Sequence, residues 1–174
     1  GAALVEHPDV PTITFTGSTS VGRWIGERCG AMLKRVSLEL GGKNPCIIFA
    51  DADLDHAIDT AARSAFTNQG QICLCGSRLI VEASVFHRVR DGIIARAKAL
   101  RVGDPRDAHT QFGSLTSPAH CAKVEAMVDE ARSVGATIHC GGTRVDPASL
   151  PSRCTNGSFY APTVLSGLDP ACRV

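Results

Sequence analysis

The sequence has almost no net charge: 18 Lys and Arg stand against 17 Asp and Glu, which leaves +1. No field of one sign draws it toward nucleic acid, an acidic polymer or an anionic surface, so neither nucleic acid nor a membrane is expected as a partner. It also lacks any apolar run near the roughly 18 to 20 residues needed to cross a bilayer. The first residues, GAALVEHPDV, lack the basic-then-apolar order of a secretory signal. A soluble protein is the expectation. Cysteine is sparse by the standard of a disulfide scaffold, with eight in 174 residues, where such scaffolds are short chains above roughly 8 to 10%. Several of the eight lie inside apolar or helical patterns, where a thiol acts as a small buried hydrophobe. A reduced, cytoplasmic compartment follows as the expectation. There is no internal repeat and no low-complexity tract. With 44% hydrophobic and 20% charged residues, the chain is globular, comprising one domain or parts of two.

Strand and helix patterns alternate along the chain. Residues 11–16 (PTITFT) form a short β-rich run that stops at Gly17 and Ser18, before a helical stretch to about Met32. Residues 35–40 alternate as a strand, Gly41 and Gly42 break it, and residues 45–50 (PCIIFA) form a continuous apolar run of the buried-strand type. Asp51 and Asp53 sit at an N-cap position, and Leu54, Ala57, Ile58, Ala61, Ala62 and Ala65 recur at helical spacing to about Phe66. Residues 79–81 read as strand, 84–100 as helix, 103–107 as loop, 118–134 as helix opened by Ser117-Pro118, and 136–140 as strand. Residues 143–158 read as surface loop and 160–165 as a last strand. The order implies an α/β fold with a largely parallel sheet.

Three places could carry chemistry. Gly17 and Ser18 end a strand and open a helix, where free N–H groups and the helix dipole favour an anion. The stretch GSTSVG is not the three-glycine dinucleotide fingerprint, however, and a serine there is more often a plain cap. Glu39 lies inside the apolar stretch LELGGKNP. Buried, it would be a base near neutral pH; on the polar face of the alternation, with Leu38 and Leu40 inward, it would be solvated. The stretch FTNQGQICLCGSR leaves a helix for a strand and holds Cys73 and Cys75 two positions apart. An exposed thiol on such a turn can be activated as a nucleophile. The pair could also be half a metal site, a redox pair or plain packing. A metal is not expected, because a second cysteine pair or a spaced histidine pair is missing, and a redox dithiol usually has two intervening residues. A nucleophile paired with Glu39 is the most economical chemical reading.

FTGSTSVG, LELGGKNP and FTNQGQIC, in this order, resemble the NAD(P)-dependent aldehyde dehydrogenases. SLELGGKNPCIIFADADLD, GQICLCGSR and the LPSR of residues 150–153 look most like the branch acting on 2-aminomuconic and 2-hydroxymuconic semialdehydes. The resemblance spans essentially the whole chain, and it implies an α/β fold comprising the end of a Rossmann-type cofactor domain, residues 1–42, and the first part of an α/β catalytic domain, residues 43–174. It implies Cys73, not Cys75, as nucleophile and Glu39 as general base. It places Gly17 and Ser18 at the pyrophosphate of NAD, Val21 at the adenine, and Leu40 and Gly41 near the nicotinamide. A small aldehyde is the implied substrate, and a homo-oligomer the implied full-length form. Family members are far longer, so the segment reads as the middle of a protein. The family's asparagine oxyanion donor and ribose-binding residues fall outside it. On that reading the 174 residues alone would be inactive, and the rival reading is a truncated, inactive remnant with at most a binding role.

Overall fold

The computed structural model describes residues 1–169 and 171–172, and the chain divides into two compact units, Gly1–Lys43 and Asn44–Val174. The first contains α1 (Ala2–Glu6), β1 (Thr12–Gly17), α2 (Thr19–Ala31) and β2 (Arg35–Leu40). In β1, Ile13 and Phe15 turn inward while Thr12, Thr14 and Thr16 face out, as the two-residue period of a strand requires. Gly22, Ile25 and Cys29 form the buried stripe of α2. Val5, Ile13, Ile25 and Cys29 make the core, flanked by Phe15, Trp24 and Leu38. Helix α1 has no counterpart in the sequence reading. Its end is held from far along the chain, where Lys34 Nζ donates to the carbonyls of Val5 and His7, both at 2.6 Å.

The second unit contains β3 (Pro45–Ile48), α3 (Leu54–Phe66), β4 (Arg78–Val81), α4 (Phe86–Ala99), α5 (Pro118–Ser133), β5 (Thr137–Cys140) and β6 (Val164–Ser166). Helix α3 occupies the span its apolar spacing predicts. Asp53 caps it, its carboxylate accepting from His56 N at 3.2 Å. Ser117 caps α5 in the same way, accepting from His120 N at 3.1 Å. Helix α4 starts later than its periodicity suggests. Ser84 donates to Glu82 at 2.7 Å within a 3₁₀ turn, so its hydroxyl is engaged elsewhere and the helix opens at Phe86. Ile48, Leu54, Ile58, Ala61, Ala62, Val89 and Ile93 pack as one core.

Among the described residues six strands pair two by two. β1–β2 and β3–β4 are parallel, and β5–β6 is antiparallel. The antiparallel pair departs from the expected largely parallel sheet for a definite reason. A parallel return is usually made through an α-helix, whereas residues 141–163 hold no α-helix, only short 3₁₀ helices and irregular chain. Gly141 and Gly142 reverse the chain with positive φ of 68° and 76°. The excursion that follows is closed at its neck, where Gly142 N donates to Thr163 Oγ1 (2.9 Å), Ala161 N to Thr143 O (2.9 Å) and Val145 N to Phe159 O (3.1 Å). Near its far end Arg153 pairs with the buried Asp104 of the 103–107 loop. The Arg106 N–H that Asp104 accepts holds its carboxyl below the ordinary value of 3.8, with Arg153 adding to the effect against the opposing cost of burial. The apolar run at β3 also differs from expectation, since Cys46 and Ile48 face inward while Ile47 and Phe49 are exposed. No helix among the described residues is long and apolar enough to cross a membrane.

One packing contact gives a direct test. Alanine is favoured over glycine in a helix interior by about 1 kcal/mol, yet a Cβ at Gly92 in α4 would lie 2.8 Å from Cδ1 and 2.9 Å from Cγ2 of the buried Ile58. Overpacking of that kind costs about 1 to 3 kcal/mol. Gly92→Ala is therefore expected to destabilise the protein by about 1 kcal/mol net, as read by urea unfolding.

Candidate active site

In the first unit the candidate residues gather at one rim. The parallel register pairs Gly17 with Leu40 and Thr16 with Glu39, so the carboxyl ends of β1 and β2 lie side by side and Gly41 leaves beside Ser18. Ser18 is the N-cap of α2 and its hydroxyl accepts from Val21 N at 3.4 Å. The first full helical bond runs from Gly22 N to the Ser18 carbonyl at 2.9 Å, which leaves the N–H groups of Thr19 and Ser20 without intrahelical acceptors. Capping and an open, positive helix end thus coexist at the same serine. Leu40 lies against α2 so closely that a Cβ at Gly22 would fall 2.5 Å from its Cδ2. A side chain at position 22 would force Leu40 to shift. Val21, next to it, is 43% exposed on the helix surface. Glu39 is exposed between the half-buried Leu38 and Leu40, so the strand alternation, not burial, decides where its side chain points.

Cys73 belongs to the second unit, on a turn between α3 and β4. After Phe66 the backbone becomes left-handed for three residues, with φ of 51° at Asn68, 57° at Gln69 and 73° at Gly70. A left-handed residue other than glycine costs roughly 1 to 2 kcal/mol, least for asparagine, so the surrounding structure must hold this segment. Gln71 anchors it across the unit, its Oε1 accepting from Thr116 N at 3.0 Å. Residues 72–75 then form a turn closed by Cys75 N donating to Ile72 O at 3.1 Å. Cys73 is exposed on this turn, and Cys75 is 7% exposed with its Sγ directed at the Thr67 carbonyl. Gly76 N donates to Ser64 Oγ at 3.1 Å and ties the exit of the turn to α3.

The side chain of Asn44 reaches the turn from β3. Its Nδ2 donates to the Cys73 carbonyl at 2.6 Å and to the Cys75 carbonyl at 3.3 Å. Sequence reasoning did not single out Asn44 or Gln71. Asn44 sits in the same stretch as Glu39, but its role depends on which strand pairs with β3, and no local pattern carries that. The two thiols are chemically distinct as a result of these contacts: one stands in solvent on a pinned turn, the other packs. Among the described residues no group of three His, Cys, Asp or Glu is arranged to hold a metal ion.

Comparison with known proteins gives a consistent picture. The model of the aldehyde dehydrogenase family matches residues 1–174. The chain is 47% identical over 168 residues to 2-aminomuconic semialdehyde dehydrogenase of Danio rerio, covering 97% of this chain and 34% of that protein. It is 42% identical to 2-hydroxymuconic semialdehyde dehydrogenase of Pseudomonas putida, with the same coverage. Betaine aldehyde dehydrogenase of Staphylococcus aureus, solved in complex with NAD+, superposes with a TM-score of 0.91 at 36% identity, covering 97% of this chain and 33% of that one. The chain thus spans about a third of the length of the curated relatives it matches.

The difference between the two thiols is open to measurement. In the folded protein iodoacetamide is expected to label Cys73 about tenfold or more faster than Cys75, because reaction needs an accessible thiolate. Peptide mass spectrometry against time reads both rates, and equal rates would mean that the packing of Cys75 does not protect it.

Proposed function

The chain belongs to the aldehyde dehydrogenase family, and on that premise we propose that it carries the nucleophile and the general base for NAD-dependent oxidation of an aldehyde to a carboxylic acid. The observation that supports this most is the contrast at the GQIC turn, where Cys73 is exposed and Cys75 is buried. In this reading residues 1–42 are the end of the cofactor-binding domain and residues 43–174 the first part of the catalytic domain. The residues at the rim of the first unit suit a dinucleotide. The open N–H groups of Thr19 and Ser20 at the N-terminus of α2 offer donors to a pyrophosphate. The close contact of Leu40 with Gly22 keeps the strand end and helix end together. Gly17 and Ser18 would hold the pyrophosphate, Val21 the adenine, and Leu40 and Gly41 the nicotinamide side.

The chemistry assigned to this chain's own residues is covalent. The Cys73 thiolate attacks the aldehyde carbon to form a thiohemiacetal, whose oxyanion accepts a hydrogen bond from the Cys73 N–H. The chemistry that NAD+ would supply here is that of acceptor for the hydride lost from this carbon. Glu39 then takes a proton from water, which attacks the resulting thioester and releases the acid and the free thiol. The names of the relatives suggest a semialdehyde of the muconic type as substrate. In its longest natural form the protein is proposed to be a cytoplasmic homo-oligomer.

Three outcomes are expected from that form of the protein. Cys73→Ala abolishes NADH production from propanal, while Cys75→Ala keeps most of it, and equal loss from both would point to a paired-thiol role instead. Glu39→Gln keeps the pre-steady-state NADH burst and slows the steady state by about 10²-fold or more, because only hydrolysis needs the base. Loss of the burst as well would move Glu39 to formation of the thiolate. The ratio of kcat/KM for 2-hydroxymuconic semialdehyde to that for propanal is expected to exceed about tenfold, and a ratio near one would remove the substrate assignment alone. The 174-residue chain by itself is expected to give no NADH from either aldehyde, and robust turnover by it would overturn the division of labour described above.

A further inference from the structure

We propose that Asn44 is a positioning residue for Cys73, its side-chain amide setting the direction in which the thiol leaves the turn; this rests on the assignment of Cys73 as the nucleophile. The direction of a Cα–Cβ bond is fixed when the peptide planes on both sides of the residue are fixed. The plane before Cys73 is held at its carbonyl end, where Ile72 O accepts from Cys75 N at 3.1 Å. The plane after Cys73 is held by Asn44 Nδ2, which donates to Cys73 O at 2.6 Å and also reaches Cys75 O at 3.3 Å. Without Asn44 only the first plane has a partner, and rotation about the N–Cα bond of Cys73 is free to swing the thiol. Anchors at Gln71 and Gly76 hold the ends of the segment but leave this torsion untouched.

Asparagine suits the task because its NH₂ carries two donors on a short stem, enough for two carbonyls, whereas serine has one donor and aspartate none. The clamp is itself well founded. Asn44 precedes Pro45, which confines its backbone to extended conformations. Its own carbonyl accepts from Arg78 N at 3.4 Å, just ahead of the Pro45–Arg78 pair that opens the β3–β4 ladder. The half-buried Asn44 therefore joins the start of both strands to the turn between them.

The test compares Asn44→Asp, Asn44→Ala and Asn44→Gln in the longest natural form of the protein, with saturating NAD+ and propanal. Asn44→Asp keeps the shape and removes both donors, while Asn44→Gln keeps both donors on a longer stem. The NADH burst rate constant is expected to fall about 10²-fold in Asn44→Asp and Asn44→Ala, as a displaced reacting group implies. KM for NAD+ is expected to stay within about twofold, and Asn44→Gln to recover about tenfold over Asn44→Asp. A burst in Asn44→Asp within about twofold of wild type would overturn the proposal. So would equal losses in Asn44→Asp and Asn44→Gln that follow the melting temperature, since a purely structural contact would give that pattern. Cys73→Ala in the same assay separates the two readings. If it loses the burst, a neutral Asn44→Asp removes only the positioning role; if it keeps the burst, the nucleophile assignment falls and this proposal with it.

Discussion

Two neighbouring strands can run parallel only if the chain travels back across the sheet between them, and each unit does this once with a single helix. Helix α2 returns the chain from β1 to β2, and α3 returns it from β3 to β4. Each return brings like ends of two strands together, and the candidate residues sit at those ends. In the first unit the carboxyl ends meet, which puts Gly17, Ser18, Leu40 and Gly41 at one rim. In the second unit the amino ends meet, which puts Asn44 beside the turn that precedes β4. A slip of one residue in the β3–β4 register would move Asn44 by about 3.3 Å along the strand, out of reach of the Cys73 carbonyl. The register of four paired residues thus governs contacts outside the strands.

Where the sequence carried strong local signals, the structure follows them. Helix α3 has both an apolar stripe and an aspartate at its N-cap, and it occupies the predicted span. Helix α5 has Ser117 and Pro118 at its start and follows equally well. The departures have separate causes. Helix α1 is closed by Lys34, a partner distant in sequence, whereas Ser84 is drawn to Glu82 only two residues before it and α4 opens later. The exposed Ile47 and Phe49 show that a run of apolar residues does not by itself reveal how many faces of a strand are covered.

The candidate site was legible in residue types and less so in geometry. The three motifs named the thiol, the carboxylate and the glycine-serine turn, because those residue types stand out in apolar surroundings. Strand alternation alone placed Glu39 outward, as the structure has it. Which of two cysteines faces solvent was not readable from spacing, since the left-handed run at residues 68–70 reorients the chain before the turn begins. Asn44 and Gln71 were hidden for a related reason. Each is an ordinary polar residue whose importance lies entirely in a carbonyl or N–H brought to it by the fold.

The closed neck of the excursion between β5 and β6 bears on how this surface can change over time. Gly141 cannot be replaced easily, because a Cβ there would lie 2.2 Å from the Pro162 carbonyl and its φ is positive. The hydrogen bonds at Thr143, Val145, Ala161 and Thr163 fasten the two sides independently of what lies farther out. Loop length enters folding free energy only logarithmically, about 0.6 kcal/mol for each doubling. Residues 147–152 therefore form a stretch where insertions and deletions are cheap, a place for lineages to lengthen or shorten the chain while β5 and β6 stay in register.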